Sequence, residues 1–218
     1  MRTIAPVYKM RYMMKERGIL FRTDMVVAIL REDDPKTHTR RVVKPQPPKG
    51  LSIACYTEDG TQKKEWILAD KYGDGVDIYC PQCPYGQIGD RLWVRETWCP
   101  MEWGAEYKAD IAPEINDIRI AAGIEWHSPR FMPRGASRII LEITDIRTEK
   151  LHEISREDIR AEGVGLPVSP RFTPIEGLSE LHQEYKNLWD SINGKTYPWA
   201  SNPWLWVIQF KKLSISGG

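Results

Sequence analysis

The sequence predicts an α+β fold in which helices pack against a sheet that carries most of the core. Three observations lead there. Segments 91–97, 137–147 and 204–211 have strand patterning, either alternating or apolar over several residues. Leu181, Tyr185, Leu188, Trp189 and Ile192 fall at helix spacing between the last two of these segments. With 28% charged and 41% hydrophobic residues among 218, the composition is globular and the length suits one cored domain with insertions.

Residues 1–17 read as a loosely held basic arm ahead of a single domain spanning 18–213. Gly18 to Phe21 is a short apolar run, after which Thr23 or Asp24 caps a helix reaching about Glu32, with Met25, Val26, Ala28 and Ile29 as its stripe. The acidic turn Glu32-Asp33-Asp34-Pro35 ends it. Short strands follow at Thr37–Val43 and Leu51–Tyr56, separated by an extended Pro-rich piece, Lys44 to Lys49. Glycines 60, 73, 75, 86 and 89 make 57–90 a region of loops and hairpins, and 100–134 shows no clear period. From Arg138 to Ile146, alternation puts Ile139, Leu141, Ile143 and Asp145 on one face, a half-buried strand that suits a barrel wall. Ser155 caps a short helix stopped by Gly163, and a longer helix from Ser179 to Ile192 closes at Gly194.

Formal net charge is +1, so affinity for nucleic acid would have to come from local basic clusters. Lys36, Arg40, Arg41, Lys44 and Lys49 fall in an acid-free window from Pro35 to Thr57, and His127, Arg130, Arg134 and Arg138 in another between Glu125 and Glu142. No apolar run approaches the roughly 18 residues that span a bilayer. The basic start, Met1 to Arg17, has no apolar stretch behind it, so a soluble, cytoplasmic protein without membrane partners is expected. Four cysteines in such a chain argue for reduced thiols or metal over disulfides. Cys80-Pro81-Gln82-Cys83 is a knuckle that Cys55 and Cys99 would complete as a zinc site, but the long gaps favour lone buried thiols and no cofactor.

Four segments stand out in order: Asp34-Pro35-Lys36-Thr37-His38-Thr39-Arg40-Arg41; the Gly-Asp turn into a strand of Gly89-Asp90-Arg91-Leu92-Trp93-Val94; Glu142-Ile143-Thr144-Asp145-Ile146 leading to Leu151, Ile154 and Ala161-Glu162-Gly163; and Trp206-Val207-Ile208-Gln209-Phe210. Together they resemble the ASCH domain family of the PUA-like superfamily, the first being similar to its Gly-x-Lys-Thr-x-Thr-x-Arg signature, with Asp34-Pro35 where the family has glycine. Gly89 to Trp98 is similar in wording to larger ASCH-like proteins of tailed phages and prophages. The resemblance implies a PUA-like mixed β-barrel with flanking helices, and the wide spacing implies insertions at about 50–88 and 100–136.

Lys36 and Thr39 lie three residues apart beside Arg41, where neighbouring cations and burial would lower the lysine pKa and let it accept the threonine proton. Glu162, at the end of a short helix, would supply an acid. In bacterial ASCH proteins that hydrolyse N(4)-acetylcytidine, the matching lysine, threonine and glutamate act as base, nucleophile and proton donor; the resemblance implies those catalytic roles for Lys36, Thr39 and Glu162. The same groups equally suit holding a base by hydrogen bonds, with Arg41 on a phosphate and no bond broken. The leading expectation is recognition of a nucleobase in RNA, DNA or a modified nucleoside, with Arg40, Arg41, Arg130 and Arg134 flanking the cleft. Amidohydrolase action on an N(4)-acylated cytidine comes second, and a nuclease or a phage accessory protein binding a host protein third. Alternation turns His38 away from Thr39 and gives it no role.

Of nine tryptophans, Trp93, Trp189 and Trp206 sit at apolar positions of predicted elements and are assigned to the core. Trp98, Trp103, Trp126, Trp199 and Trp204 lie in or beside loops, as anchors for insertions or as a stacking platform for bases.

Overall fold

The computed structural model describes residues 13–57, 64–69, 82–165 and 178–213. Its elements in order are β1 (Glu16–Leu20), α1 (Thr23–Leu30), β2 (His38–Val42), β3 (Ser52–Thr57), β4 (Lys64–Ala69), β5 (Arg91–Arg95), β6 (Trp98–Met101), β7 (Gly104–Tyr107), α2 (Pro113–Ala121), β8 (Ile140–Lys150), α3 (Arg156–Ala161), α4 (Leu178–Asn193) and β9 (Trp204–Lys212). A five-stranded sheet runs β1-β5-β8-β9-β2, with β3–β4 and β6–β7 as separate two-stranded pairs. Only β1 and β5 pair in parallel within the large sheet; its other pairings are antiparallel.

β9 is the strand that divides the core. Its aromatic and β-branched residues favour extended backbone, and both of its faces are covered. Trp206, Ile208 and Phe210 join a large cluster with residues of β1, α1, β5 and β8, while Leu205 joins Leu151, Ile159, Leu181, Tyr185 and Trp189 under α3 and α4. The β8 alternation breaks where the register against β9 shifts between Ile143 and Asp145. That bulge changes the strand's phase, so Ile146, not Asp145, follows Ile139, Leu141 and Ile143 into the core.

Several expectations change. The sheet is open: β1 and β2 are both edges, and among the described residues no strand pairing closes a barrel. After only five residues β1 turns into α1 instead of running on beside β2, and one side chain crosses the gap, with Arg41 Nη2 donating to the Leu20 carbonyl at 2.7 Å. The basic arm stops short of residue 17, because Asp90 accepts from the Lys15 backbone N–H at 2.7 Å and pairs with Arg17 at 3.0 Å, pinning the start of β1. α1 is preceded by Arg22 without a side-chain cap; Asp24 is in its first turn and accepts from the Met25 N–H at 3.0 Å. Trp93 is only half-buried, with Leu92 and Val94 taking the core face and Arg95 stacked on its ring. The segment 100–134 carries most of the β6–β7 hairpin and also α2, a helix with no buried residue. Ser155 caps α3 as expected, its hydroxyl accepting from the Asp158 N–H at 3.1 Å. Among the described residues no helix is long and apolar enough to cross a membrane.

Candidate functional site

The chain leaving α1 passes Asp34, whose φ of 50° lies in the left-handed region, and then enters β2 under main-chain control. The Lys36 N–H donates to the Ala28 carbonyl of α1, the Thr37 N–H to the Ala161 carbonyl of α3, and the Phe210 N–H to the Thr37 carbonyl, each at 2.9 Å. α3 ends at Glu162, and Gly163 turns the chain with φ 84°, where a Cβ would sit 2.8 Å from that of Ala28 and 3.4 Å from that of Lys36. Lys36 and Glu162, 126 residues apart, are thereby laid against one another.

Lys36 Nζ donates to Glu162 Oε2 at 2.6 Å and to the Glu162 carbonyl at 2.8 Å, with both residues buried. The other oxygen, Oε1, accepts from Arg40 Nη1 at 3.1 Å; Arg40 also reaches Glu149 at 2.6 Å and Asp158 at 2.6 Å. Arg147 joins both of those acids. Lys36, Arg40 and Arg147 thus face Glu149, Asp158 and Glu162, a neutral assembly of three cations and three carboxylates. Its members shift one another's protonation. Burial lowers the Lys36 pKa, Arg41 and Arg40 add to the effect, and Glu162 opposes it. Burial alone would raise Glu162, but Lys36 and Arg40 hold its carboxyl below the ordinary range. Burial likewise works against the Arg40 charge, yet the surrounding carboxylates raise its pKa.

Lys36, Arg40 and Glu162 of this assembly line, with Thr39 and others, a cleft of about 650 Å³, a size that suits a small organic ligand. Thr39 is 4% exposed, and among the described residues its hydroxyl has no hydrogen-bond partner. Phe21, Tyr85, Tyr185, Trp189 and Tyr197 supply rings to the lining, and Arg22, Arg41, Lys44 and Lys195 supply cations. The Arg41 guanidinium lies over Phe21 at 5.2 Å and Tyr85 at 6.0 Å, and its buried Nε has no partner.

The cleft brings together Lys36, Thr39, Glu162, Arg40 and Arg41 from the sequence reading. Arg40 is not a mouth residue: it is 6% exposed and bonded to three carboxylates, which leaves it nothing to offer a phosphate. Arg130 and Arg134 do not line this cleft; both are exposed on 3-10 turns before β8, and Arg134 pairs with Glu16 at the start of β1 at 3.1 Å. His38 is half-buried, 3.8 Å from Asp158, with its pKa lowered by burial. Of the loop tryptophans only Trp103 is strongly exposed, at 80%, and none of Trp98, Trp103, Trp126, Trp199 and Trp204 lines the cleft. Cys83 packs against the main core, where burial pushes its thiol up to about 11, and Cys99 is buried in β6. Cys80 and the side chain of Cys55 lie outside the described residues, among which no three His, Cys, Asp or Glu side chains gather to hold a metal.

Sequence reasoning missed Glu149, Asp158 and Arg147, although Arg147 and Glu149 stand two apart on one strand and therefore share a face. It also missed the rings of Tyr85 and Tyr197, which carry no periodic signal in their loops. Comparison with protein-family models, with curated proteins and with solved structures finds no match for this chain.

Proposed function

We propose that the cleft binds a nucleobase, and that the open five-stranded sheet belongs to a PUA-like fold whose β1–β2 seam is bridged by Arg41 instead of by strand pairing. The observation that carries this reading is the Thr39 hydroxyl, which has no partner among the described residues and lines the same cleft as the Lys36–Glu162 pair. A hydroxyl that lines a cleft and has no protein partner is free to donate to and accept from a ligand, and a base edge offers matching acceptors and donors. Lys36 spends two of its three ammonium hydrogens on Glu162 and has one for a ligand acceptor. Tyr85 and Tyr197 offer faces on which a planar base stacks.

Hydrolysis of an N(4)-acylated cytidine is the second reading, favoured by the lowered Lys36 pKa. A neutral Lys36 would take the Thr39 proton as its oxygen attacks the acyl carbon, the Lys36 ammonium so formed would return that proton to the departing cytidine nitrogen, and water would then release the acyl group from Thr39 as a carboxylic acid. Calorimetric titration with nucleosides, nucleotides and short single-stranded RNA tests the first reading, and chromatography after incubation with N(4)-acetylcytidine tests the second. Binding that Thr39→Ala weakens is expected. Absence of binding to every one of these compounds overturns the nucleobase reading, and absence of turnover by the unaltered chain rejects hydrolysis.

A further inference from the structure

We propose that the ligand of this cleft is a nucleotide and not a neutral nucleoside, with Arg41 as the anchor of a phosphate subsite completed by Lys44 and Lys195. The proposal rests on the nucleobase reading and adds the charge of the ligand to it.

The argument starts from which cleft charges are already answered. Glu162 is the one acidic side chain among the described lining residues, and Lys36 and Arg40 hold both of its oxygens. Arg40 and Lys36 belong to the neutral six-group assembly, so neither leaves charge over. Arg22 pairs with Asp24 at 3.3 Å. What remains is Arg41, Lys44 and Lys195, none of which has an ion-pair partner among the described residues. An anionic ligand would answer this unpaired positive charge, which an apolar or neutral ligand leaves uncompensated.

Arg41 is built for an anion. Two aromatic rings and the Leu20 carbonyl fix its guanidinium, while its buried Nε lacks an acceptor. The guanidinium hydrogens that the Leu20 carbonyl leaves unused are the ones a phosphate oxygen would meet, and a guanidinium fork matches phosphate geometry. Lys44 lies over the Tyr197 ring at 5.8 Å, and Lys195, exposed two residues before that tyrosine, brings a second ammonium to the same part of the lining. A phosphate monoester carries up to two negative charges near neutral pH. That charge suits these three cations better than the single charge of an internal phosphodiester.

The test titrates the full chain, at low and at moderate salt, with the four common ribonucleosides, their 5′- and 3′-monophosphates, dinucleoside monophosphates and inorganic phosphate. At least one monophosphate should bind about tenfold or more tightly than its nucleoside, with the gap shrinking as salt rises. Arg41→Gln should close most of that gap. Lys195→Gln, at an exposed position that cannot upset the core, should close part of it. If nucleoside and monophosphates bind alike, the phosphate subsite is overturned while the base cleft stands. A dinucleoside monophosphate that outbinds every mononucleotide assigns the phosphate to a polymer and overturns the monoester. Inorganic phosphate binding with no gain from the base removes the nucleotide, and no binding by any compound removes both readings.

Discussion

Lys36 and Glu162 meet twice, the lysine ammonium lying 2.6 Å from the carboxylate and 2.8 Å from the backbone carbonyl of the same residue. The carbonyl contact survives any change of the Glu162 side chain, so the ammonium stays in place when its counter-charge is removed. Breaking a buried pair leaves a charge uncompensated and costs about 3–5 kcal/mol. Glu162→Gln should therefore destabilise the chain by about that much in urea unfolding followed by tryptophan fluorescence. Lys36→Met combined with Glu162→Leu should cost less than the two single changes added together.

Acid should weaken the fold through the same assembly. Glu162 and Asp158 are held below their ordinary values of 4.5 and 3.8, so the stability they contribute is complete above those values and is lost as pH falls through the lower folded-state ones. Glu96 works in the opposite sense. Burial raises it above 4.5 against the pull of Arg138, so its contribution is present below 4.5 and is lost as pH rises through the raised value. Unfolding curves at stepped pH should show Asp158→Asn flattening the acid limb, and Glu96→Gln removing a decline above pH 4.5.

Gly163→Ala should be costly for two reasons that add. The φ of 84° disfavours a side chain, and the new Cβ would press on Ala28 and Lys36. A loss of about 2 kcal/mol or more in stability is expected. The clash falls on Ala28, whose carbonyl holds the Lys36 N–H, so ligand affinity should fall with it; an alanine variant as stable as the original would contradict this packing.

Thr39→Val separates function from folding. The hydroxyl has no partner among the described residues, so replacing it by a methyl of similar size should change stability by less than about 1 kcal/mol. Binding or turnover in the cleft should drop far more than that. Equal loss of stability and affinity would mean that the hydroxyl serves the fold.

The elements that burial covers on one face or on both were legible. β9 announces itself as a continuous apolar run because both faces are covered, and α4 because burial selects its apolar residues at helical spacing. Glu16 and Arg17, the first two residues of β1, read as the end of an arm because only Ile19 of the strand's five residues is buried, and the strand's place is set by pairing with β5 and by Asp90. α2 gave no signal because no core face selects its sequence; Ile118 is 65% exposed. At the site, Lys36, Thr39 and Glu162 were readable as a set through a resemblance, but Arg40 was not readable as buried. Strand alternation would expose one of Thr39 and Arg40, yet both are covered, since acids from β8 and α3 close over the guanidinium. That compensation is tertiary, and no local pattern encodes it.

The three main-chain bonds that fix residues 36 and 37 to α1, α3 and β9 involve only N–H and carbonyl groups. Any residue except proline at these donor positions makes the same bonds. The path that carries Lys36 and Thr39 into the cleft is therefore indifferent to the side chains of Ala28 and Ala161, provided they stay small enough to fit. A lineage could rewrite the outer surfaces of both helices, lose detectable likeness to its ancestors, and keep the same two side chains aimed into the same hollow.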